Sequence, residues 1–289
     1  MTVAVFGATG FVGSSLVKKL VDRGHRVRMI SRTSPTGGLS AGVTHRTADI
    51  GNANQVSEAV GDADVAVNLV AASPLLPASN RSVYLRRHLR GVSNLLAAVG
   101  THRVGLVHVG ALGVTEESPA YYAWTKARAE RLVRESSVDA VVVSPSILFG
   151  TKSELIVALG AMTRLPIVPI PRIETLFQPM WIEDLTTLLA DLVEDRRRYC
   201  EGSTCRQLEV GGPAVMSGTE FARSFVVARG KPFVEVPSGA VAAAISLGRT
   251  LRLPAFPFDL PVMLEMENSA TGRFPFVQTG HTYADWLSR

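Results

Sequence analysis

The segment Gly7-Ala8-Thr9-Gly10-Phe11-Val12-Gly13 constrains this chain more than any other. It follows the β-branched run Val3-Ala4-Val5-Phe6 and opens a stretch in which Phe11, Val12, Leu16, Val17, Leu20 and Val21 recur at helical spacing, with Gly24 placed to stop the helix. In a strand-turn-helix of this kind Gly7 takes the tight turn out of the strand. Gly10 lets the backbone approach a pyrophosphate, and Gly13 lets the helix pack closely on the sheet. The helix N-terminus then offers free N–H groups and a positive dipole end to the phosphates. Thr9, Phe11 and Val12 complete the loop, and with the three glycines they are the expected dinucleotide contacts.

The rest of the first half repeats the strand-helix alternation. Further β-branched runs stand at residues 27–30, 65–70, 104–109 and 141–143, and amphipathic stretches at 81–99 and 121–136. Such alternation with buried strands predicts an α/β fold, a doubly wound parallel sheet covered by helices on both faces. After Ser144-Pro145 the prolines become frequent and the helical pattern breaks into short pieces. The expected division is therefore a nucleotide-binding domain over 1–145 and a smaller, irregular substrate lobe over most of 146–289. One late run, residues 207–210 before Gly211-Gly212-Pro213, is expected to return to the main sheet.

Composition narrows the class. Hydrophobic residues at 46% and charged residues at 19% exclude a disordered chain. No apolar run approaches the roughly 20 residues that span a bilayer, the longest being 241–247. The N-terminus enters its first strand without a secretory signal pattern, which points to the cytoplasm. Cys200 and Cys205 read as free thiols, and six scattered histidines without an HExxH pattern predict no metal site. The net charge of +5 suits an anionic ligand, but no segment interleaves cations with aromatics as a nucleic-acid surface does. The densest cations, Arg196-Arg197-Arg198, read as a solvated helix end.

Where a free ribose 2′-hydroxyl calls for an acidic residue at the end of the second strand, this chain has Met29-Ile30-Ser31-Arg32-Thr33. Arg32 gives a 2′-phosphate a charge-assisted partner, and Ser31 and Thr33 give it hydroxyl donors, so NADP(H) is favoured over NAD(H). Asp49 and Ile50, just past the third strand, are placed to cover the adenine, and the 68–72 turn with Val70 and Ala71 to pass the middle of the cofactor.

Tyr122 and Lys126 lie four apart on a helix-like stretch and share one face. An ammonium beside a phenol lowers its pKa and makes it a usable acid or base, and the same lysine can bond the nicotinamide ribose.

With these motifs the chain resembles the short-chain dehydrogenase/reductases, in the extended or atypical branch that includes the 39 kDa subunit of respiratory complex I and the NmrA-like proteins. The resemblance also rests on Gly91-Val92-Ser93-Asn94-Leu95-Leu96, Val107 through Gly113, Ser144 through Gly150, Phe177 through Asp184, and Glu209 through Pro213. It implies a Rossmann domain, a nicotinamide cofactor with Pro145 and Lys126 beside it, and a substrate cleft under the second lobe. Two positions depart from the family. Gly110, Ala111 and Leu112 stand where a Ser or Thr hydroxyl polarises the substrate carbonyl, and His88 stands where the helix before Gly91 often carries an asparagine. Loss of one preorganised donor costs about 10²- to 10³-fold in rate. The expected function is an NADPH-dependent oxidoreductase of a small, largely apolar carbonyl or conjugated compound, with Tyr122 as proton donor. The alternatives are a redox-silent NADP(H)-binding accessory or sensor protein, and a non-redox isomerase, lyase or cyclase. Beside the small-molecule substrate there is room for a protein partner or homo-oligomer.

Overall fold

The computed structural model describes residues 1–35, 38–73, 81–199, 206–240 and 266–288. Cys200, Cys205 and the apolar run 241–247 lie outside these.

β1 (Thr2–Phe6) leads through the glycine turn into α1 (Phe11–Asp22), β2 (Arg26–Ser31) runs to β3 (Val43–Thr47) with no helix among the described residues between them, α2 (Ala53–Val60) follows, and β4 (Val65–Asn68) comes next. The stretch expected as one helix over 81–99 runs to residue 102 as α3 (Arg81–Tyr84), a π-helical turn (Leu85–Arg90) and α4 (Gly91–His102). β5 (Gly105–Val109), α5 (Tyr121–Glu135) and β6 (Ala140–Pro145) complete the alternation.

In the second half, β7 (Leu148–Phe149), α6 (Glu154–Met162), β8 (Val168–Pro171), β9 (Leu176–Phe177) and β10 (Met180–Trp181) precede α7 (Ile182–Glu194). β11 (Gln207–Gly211), β12 (Met216–Ser217), α8 (Gly218–Ala228), β13 (Phe233–Val236), β14 (Phe276–Gln278) and α9 (Tyr283–Leu287) follow.

Eight strands form one sheet in the order β14-β11-β6-β5-β4-β1-β2-β3, and every pairing in it is parallel. The chain winds outward from β1 to β3, then returns to place β4 on the other side of β1. That reversal opens a crevice at the carboxyl ends of β1 and β4, where doubly wound sheets hold their ligands. The expected late strand is β11, which pairs with β6 as predicted, and β14 adds an edge that its three residues did not announce.

The apolar residues of the strands alternate between two layers. Val3, Val5 and Val67 pack with Leu16 and Leu20 of α1 and Leu185 and Leu189 of α7. Ala4, Phe6 and Leu106 pack with Val56 of α2, Leu95 of α4 and Val133 of α5. A third cluster, with Phe149, Ile170, Phe225 and Tyr283, fills the smaller lobe, whose strands pair only two by two. The Val-Pro-Ile-Pro sequence of β8 fits such a short pair, since proline gives up the N–H that a central strand would need. Among the described residues no helix is long and apolar enough to cross a membrane.

The end of α7 differs from the solvated reading of Arg196-Arg197-Arg198. Arg196 Nε donates to Asp139 at 2.9 Å and Arg198 stands 3.6 Å from Asp191, so two of the three cations tie the helix end to neighbouring carboxylates.

Candidate functional site

The turn after β1 is built by what its glycines lack. Gly7 has φ +81°, and a Cβ there would lie 3.1 to 3.2 Å from the backbone of Leu69 and Val70, the turn after β4. At Gly13 a Cβ would collide with the Gly7 carbonyl oxygen and sit 2.7 Å from Ala8 C and Cα. Gly10 is the N-cap of α1, with extended backbone and no side-chain cap, and the first turn of the helix carries no acidic residue. The helix start is thus a positive dipole end without a built-in anion.

From this turn a groove of about 310 Å³ runs along the crevice. Gly7, Thr9, Gly10, Ser31, Arg32, Asp49, Ile50, Val70 and Ala71 all line it, so nine of the expected cofactor residues meet in one cavity. Phe11, Val12 and Gly13 lie outside its lining. Phe11 instead faces Gly150 of the second lobe, where a Cβ would come within 3.2 Å of its ring, and Val12 packs on the core. Pro145 is also outside, its carbonyl accepting the Leu112 N–H at 2.9 Å.

Arg86 and Arg87, which no sequence motif announces, line the same groove as Arg32, and the Arg32 and Arg86 charges both act on Arg87. Arg86 and Arg87 sit on the π-helical turn, whose widened repeat no periodicity signals. Arg86 pairs with Asp49, whose other oxygen accepts the Gly51 N–H at 2.8 Å. Arg87 donates to Ala71 O at 3.3 Å, and its affinity for a proton is lowered by burial and by the neighbouring Arg32 charge. The Ser31 hydroxyl donates to Thr33 O at 2.7 Å and meets His45 Nε2 at 2.9 Å. These features fit a nicotinamide dinucleotide: a turn that a Cβ would fill, an open helix end, and cations lining the same groove.

Across the crevice, α5 carries Tyr122, Lys126 and Glu130 at successive four-residue steps. Lys126 is buried and its Nζ donates to Val109 O at 2.8 Å. Burial lowers its pKa to about 8 against a smaller opposing pull from Glu130. The Tyr122 ring meets those of Tyr84 and His88 edge-on at 6.1 and 5.6 Å. Its phenol is held well above the ordinary range, chiefly by burial and then by the Glu130 charge. This is opposite to the lowering expected from Lys126: burial disfavours the phenolate, and the neighbouring Glu130, Tyr84 and Glu154 push in the same direction.

His88 is buried and joins the two sides of the site. Its Nε2 accepts the Ala72 N–H at 3.0 Å, so the proton sits on Nδ1, which donates to Thr125 Oγ1 at 2.8 Å. Burial and the Lys126 charge hold it neutral, with its pKa well below the ordinary value. His108 on β5 is likewise held to about 3, first by burial and then by Lys126, while its Nδ1 faces Asn68 Nδ2 at 3.0 Å.

The missing hydroxyl has a physical explanation. A Cβ at Gly110 would overlap Glu130 Oε1 and lie 2.6 Å from its Cδ. Glu130 is buried, accepting the Ala111 N–H at 2.8 Å, the Ser144 hydroxyl at 3.1 Å and Gln207 Nε2 at 3.0 Å. Burial raises its carboxyl, while these donors and Lys126 pull it back. The second lobe closes over this end through Asn268, whose Nδ2 donates to Leu112 O at 2.7 Å and whose Oδ1 accepts from Ser146 and Ile147.

A family model described as NAD(P)H-binding matches residues 7–172, from the glycine turn into the second lobe. The chain belongs to this family. Over 90% of its length it is 24% identical to NADH dehydrogenase [ubiquinone] 1 alpha subcomplex subunit 9, mitochondrial, of Arabidopsis thaliana, covering 66% of that protein. Over 58% of its length it is 26% identical to a ceramide reductase of Caulobacter vibrioides, covering 53% of it. The chain thus spans less than two thirds of the length of either relative. Among solved structures, human epimerase family protein SDR39U1 with NADPH superposes with a TM-score of 0.70 at 22% identity, covering 93% of this chain and 90% of that one. Together these bear out the resemblance to the atypical short-chain dehydrogenase/reductases.

Glu130 was missed as well. A charged residue continuing the Tyr122-Lys126 face by one more turn, opposite a glycine where a hydroxyl was expected, was the available signal.

Proposed function

We propose that the protein is an NADPH-dependent reductase of a small, largely apolar carbonyl or conjugated compound, with Tyr122 as proton donor. The observation that carries this reading is the convergence of Arg32, Arg86 and Arg87 on the groove that the glycine turn also lines, close enough for the Arg32 and Arg86 charges to act on Arg87. Asp49 is the carboxylate there, and it is committed to Arg86 and the Gly51 N–H. Three guanidinium groups and one occupied carboxylate favour the extra charge of a 2′-phosphate over a free ribose hydroxyl. When bound, NADPH supplies the hydride.

The residues of the chain do the rest. Gly7, Thr9, Gly10 and the start of α1 receive the pyrophosphate, and Arg32 and Arg87 the 2′-phosphate. Lys126 has two N–H groups left after bonding Val109 O, and directs them to the ribose. The raised phenol of Tyr122 stays protonated at neutral pH and gives its proton to the developing alkoxide. A ceramide reductase among the relatives supports carbonyl reduction in this fold. The test is the oxidation of NADPH by a panel of apolar ketones and enones. Tyr122→Phe is expected to lower turnover by about 100-fold or more while leaving NADPH affinity within about twofold. Equal turnover by the variant rules out this mechanism.

A second reading has its own observation. No hydroxyl stands at 110–112, and the Arabidopsis relative is named as a subunit of a larger dehydrogenase. Here the protein holds NADP(H) and presents it, or the fold that it stabilises, to a protein partner. Unchanged biological output of Tyr122→Phe supports this reading over the first.

A further inference from the structure

The end of β5 is held from two directions. β6 takes it by backbone, with Gly110 N–H to Val143 O at 2.7 Å and Leu112 N–H to Pro145 O at 2.9 Å. α5 takes the alternate groups by side chain, with Lys126 Nζ on Val109 O and Glu130 Oε1 on the Ala111 N–H. Between these two anchors Gly110 has no Cβ, and the Glu130 carboxylate fills the space that a Cβ would need.

We propose that Glu130 is a positioning residue that has replaced the hydroxyl of this strand end: it occupies the side-chain space of position 110, fixes the 109–112 turn and sustains the positive charge of Lys126. Gly110 and Glu130 are then mutually exclusive with the hydroxyl-bearing arrangement. A serine at 110 would displace the Glu130 carboxylate from its bonds to Ala111, Ser144 and Gln207, so position 110 carries no donor while Glu130 keeps its place. The substrate's polarisation falls to Tyr122, which suits an acceptor already activated by conjugation. The part that concerns Lys126 and the substrate rests on the function proposed above; the steric exclusion does not.

The charge argument follows from the neighbours of Lys126. Glu130 and Tyr122 come from its own helix, His88 from the π-helical turn and His108 from β5. Both histidines are neutral and the phenol is protonated, so among the described groups Glu130 supplies the negative charge that offsets burial of the ammonium. Glu130 in turn is fully engaged, since Gln207 Nε2 bridges it to Ser144 Oγ at 2.9 Å and Arg134 holds Gln207 Oε1 at 2.5 Å.

Two measurements on the full chain test the pair. In the first, thermal unfolding compares the wild type with Gly110→Ser, Glu130→Ala and the double variant. Gly110→Ser alone is expected to melt lowest or fail to fold, and the double variant to melt above it despite carrying one more change. A Gly110→Ser protein as stable as the wild type, or a double variant no better than Gly110→Ser, overturns the exclusion. In the second, NMR of side-chain-labelled lysine follows the titration of Lys126 without cofactor. Glu130→Gln, which keeps size and an acceptor for Ala111, is expected to lower the proton affinity of Lys126 about tenfold. An unchanged midpoint reduces Glu130 to a space-filler and overturns the charge role. Both readings hold even if NADPH does not bind, so failure of the pair is distinguishable from failure of the proposed function.

Discussion

The two sides of the crevice are made by different means. On the β1 side the site is backbone: a turn that a Cβ would obstruct, a helix end with open N–H groups, and few side-chain hydrogen bonds. On the β5 side it is a buried polar network in which Lys126 bonds the Val109 carbonyl of β5 while Glu130, Ser144 and Gln207 bond one another across α5, β6 and β11. The first kind of site depends on what is absent from a few consecutive positions. The second depends on partners far apart in sequence, and each partner carries a titratable or hydrogen-bonding cost if it is removed.

The comparison breaks most visibly at Gly13. With a Cβ directed at Ala8 and the Gly7 carbonyl, Gly13→Ala is expected to cost about 3 kcal/mol by overpacking and to abolish NADPH binding together. Denaturant unfolding and calorimetry measure the two losses, and a stable variant with intact binding removes the argument for a backbone-made site.

The β5 side is sharpened by pH. His108 is held near 3 in the folded chain against about 6.5 when unfolded, so the unfolded chain binds more protons between those values. Stability is therefore lost as pH falls through this window, with a contribution of about 2 kcal/mol already gone at pH 5. His88 acts in the same direction. Urea unfolding at pH 7, 6 and 5 is expected to show a steeper decline for the wild type than for His108→Gln, and parallel declines contradict it. Lys126 gives the counterpart at high pH. Its folded value near 8 lies below the ordinary 10.5, so its burden on stability is relieved as pH rises from 8 to 10.5.

A smaller effect is expected at Arg32, where Arg32→Leu lowers NADPH affinity by about tenfold and NADH affinity much less. Equal losses remove the 2′-phosphate role. The smallest belongs to the rim of the sheet. Arg196→Ala breaks the pair with Asp139, an exposed contact worth about 0.5 kcal/mol, and neither cofactor affinity nor the acid limb is expected to move.

The difference between the two sides also explains what could be read from sequence. Gly7, Gly10 and Gly13 announce their turn because their roles are local and their spacing is fixed by it. The parallel sheet followed from the alternation of strands and helices, and β11 from the short run 207–210 before Gly211-Gly212-Pro213. Arg86 and Arg87 were hidden because a π-helical turn inside a helix has no sequence period of its own. Glu130 was hidden because its partners Ala111 and Gln207 are 19 and 77 residues away. The tyrosine and lysine were legible as a pair, but the sign of the tyrosine's shift was not, since burial is a property of the packed site. Asn268, which closes the second lobe onto Leu112 from 156 residues away, gave no signal at all.

The proposed NADPH site is the groove lined by the glycine turn and by Arg32, Arg86 and Arg87. Calorimetric titration of the full chain with NADPH and with NADH at the same salt concentration is the decisive measurement. Binding of both is expected, with at least tenfold preference for NADPH that narrows as salt is raised. Equal affinities, or tighter binding of NADH, would contradict it.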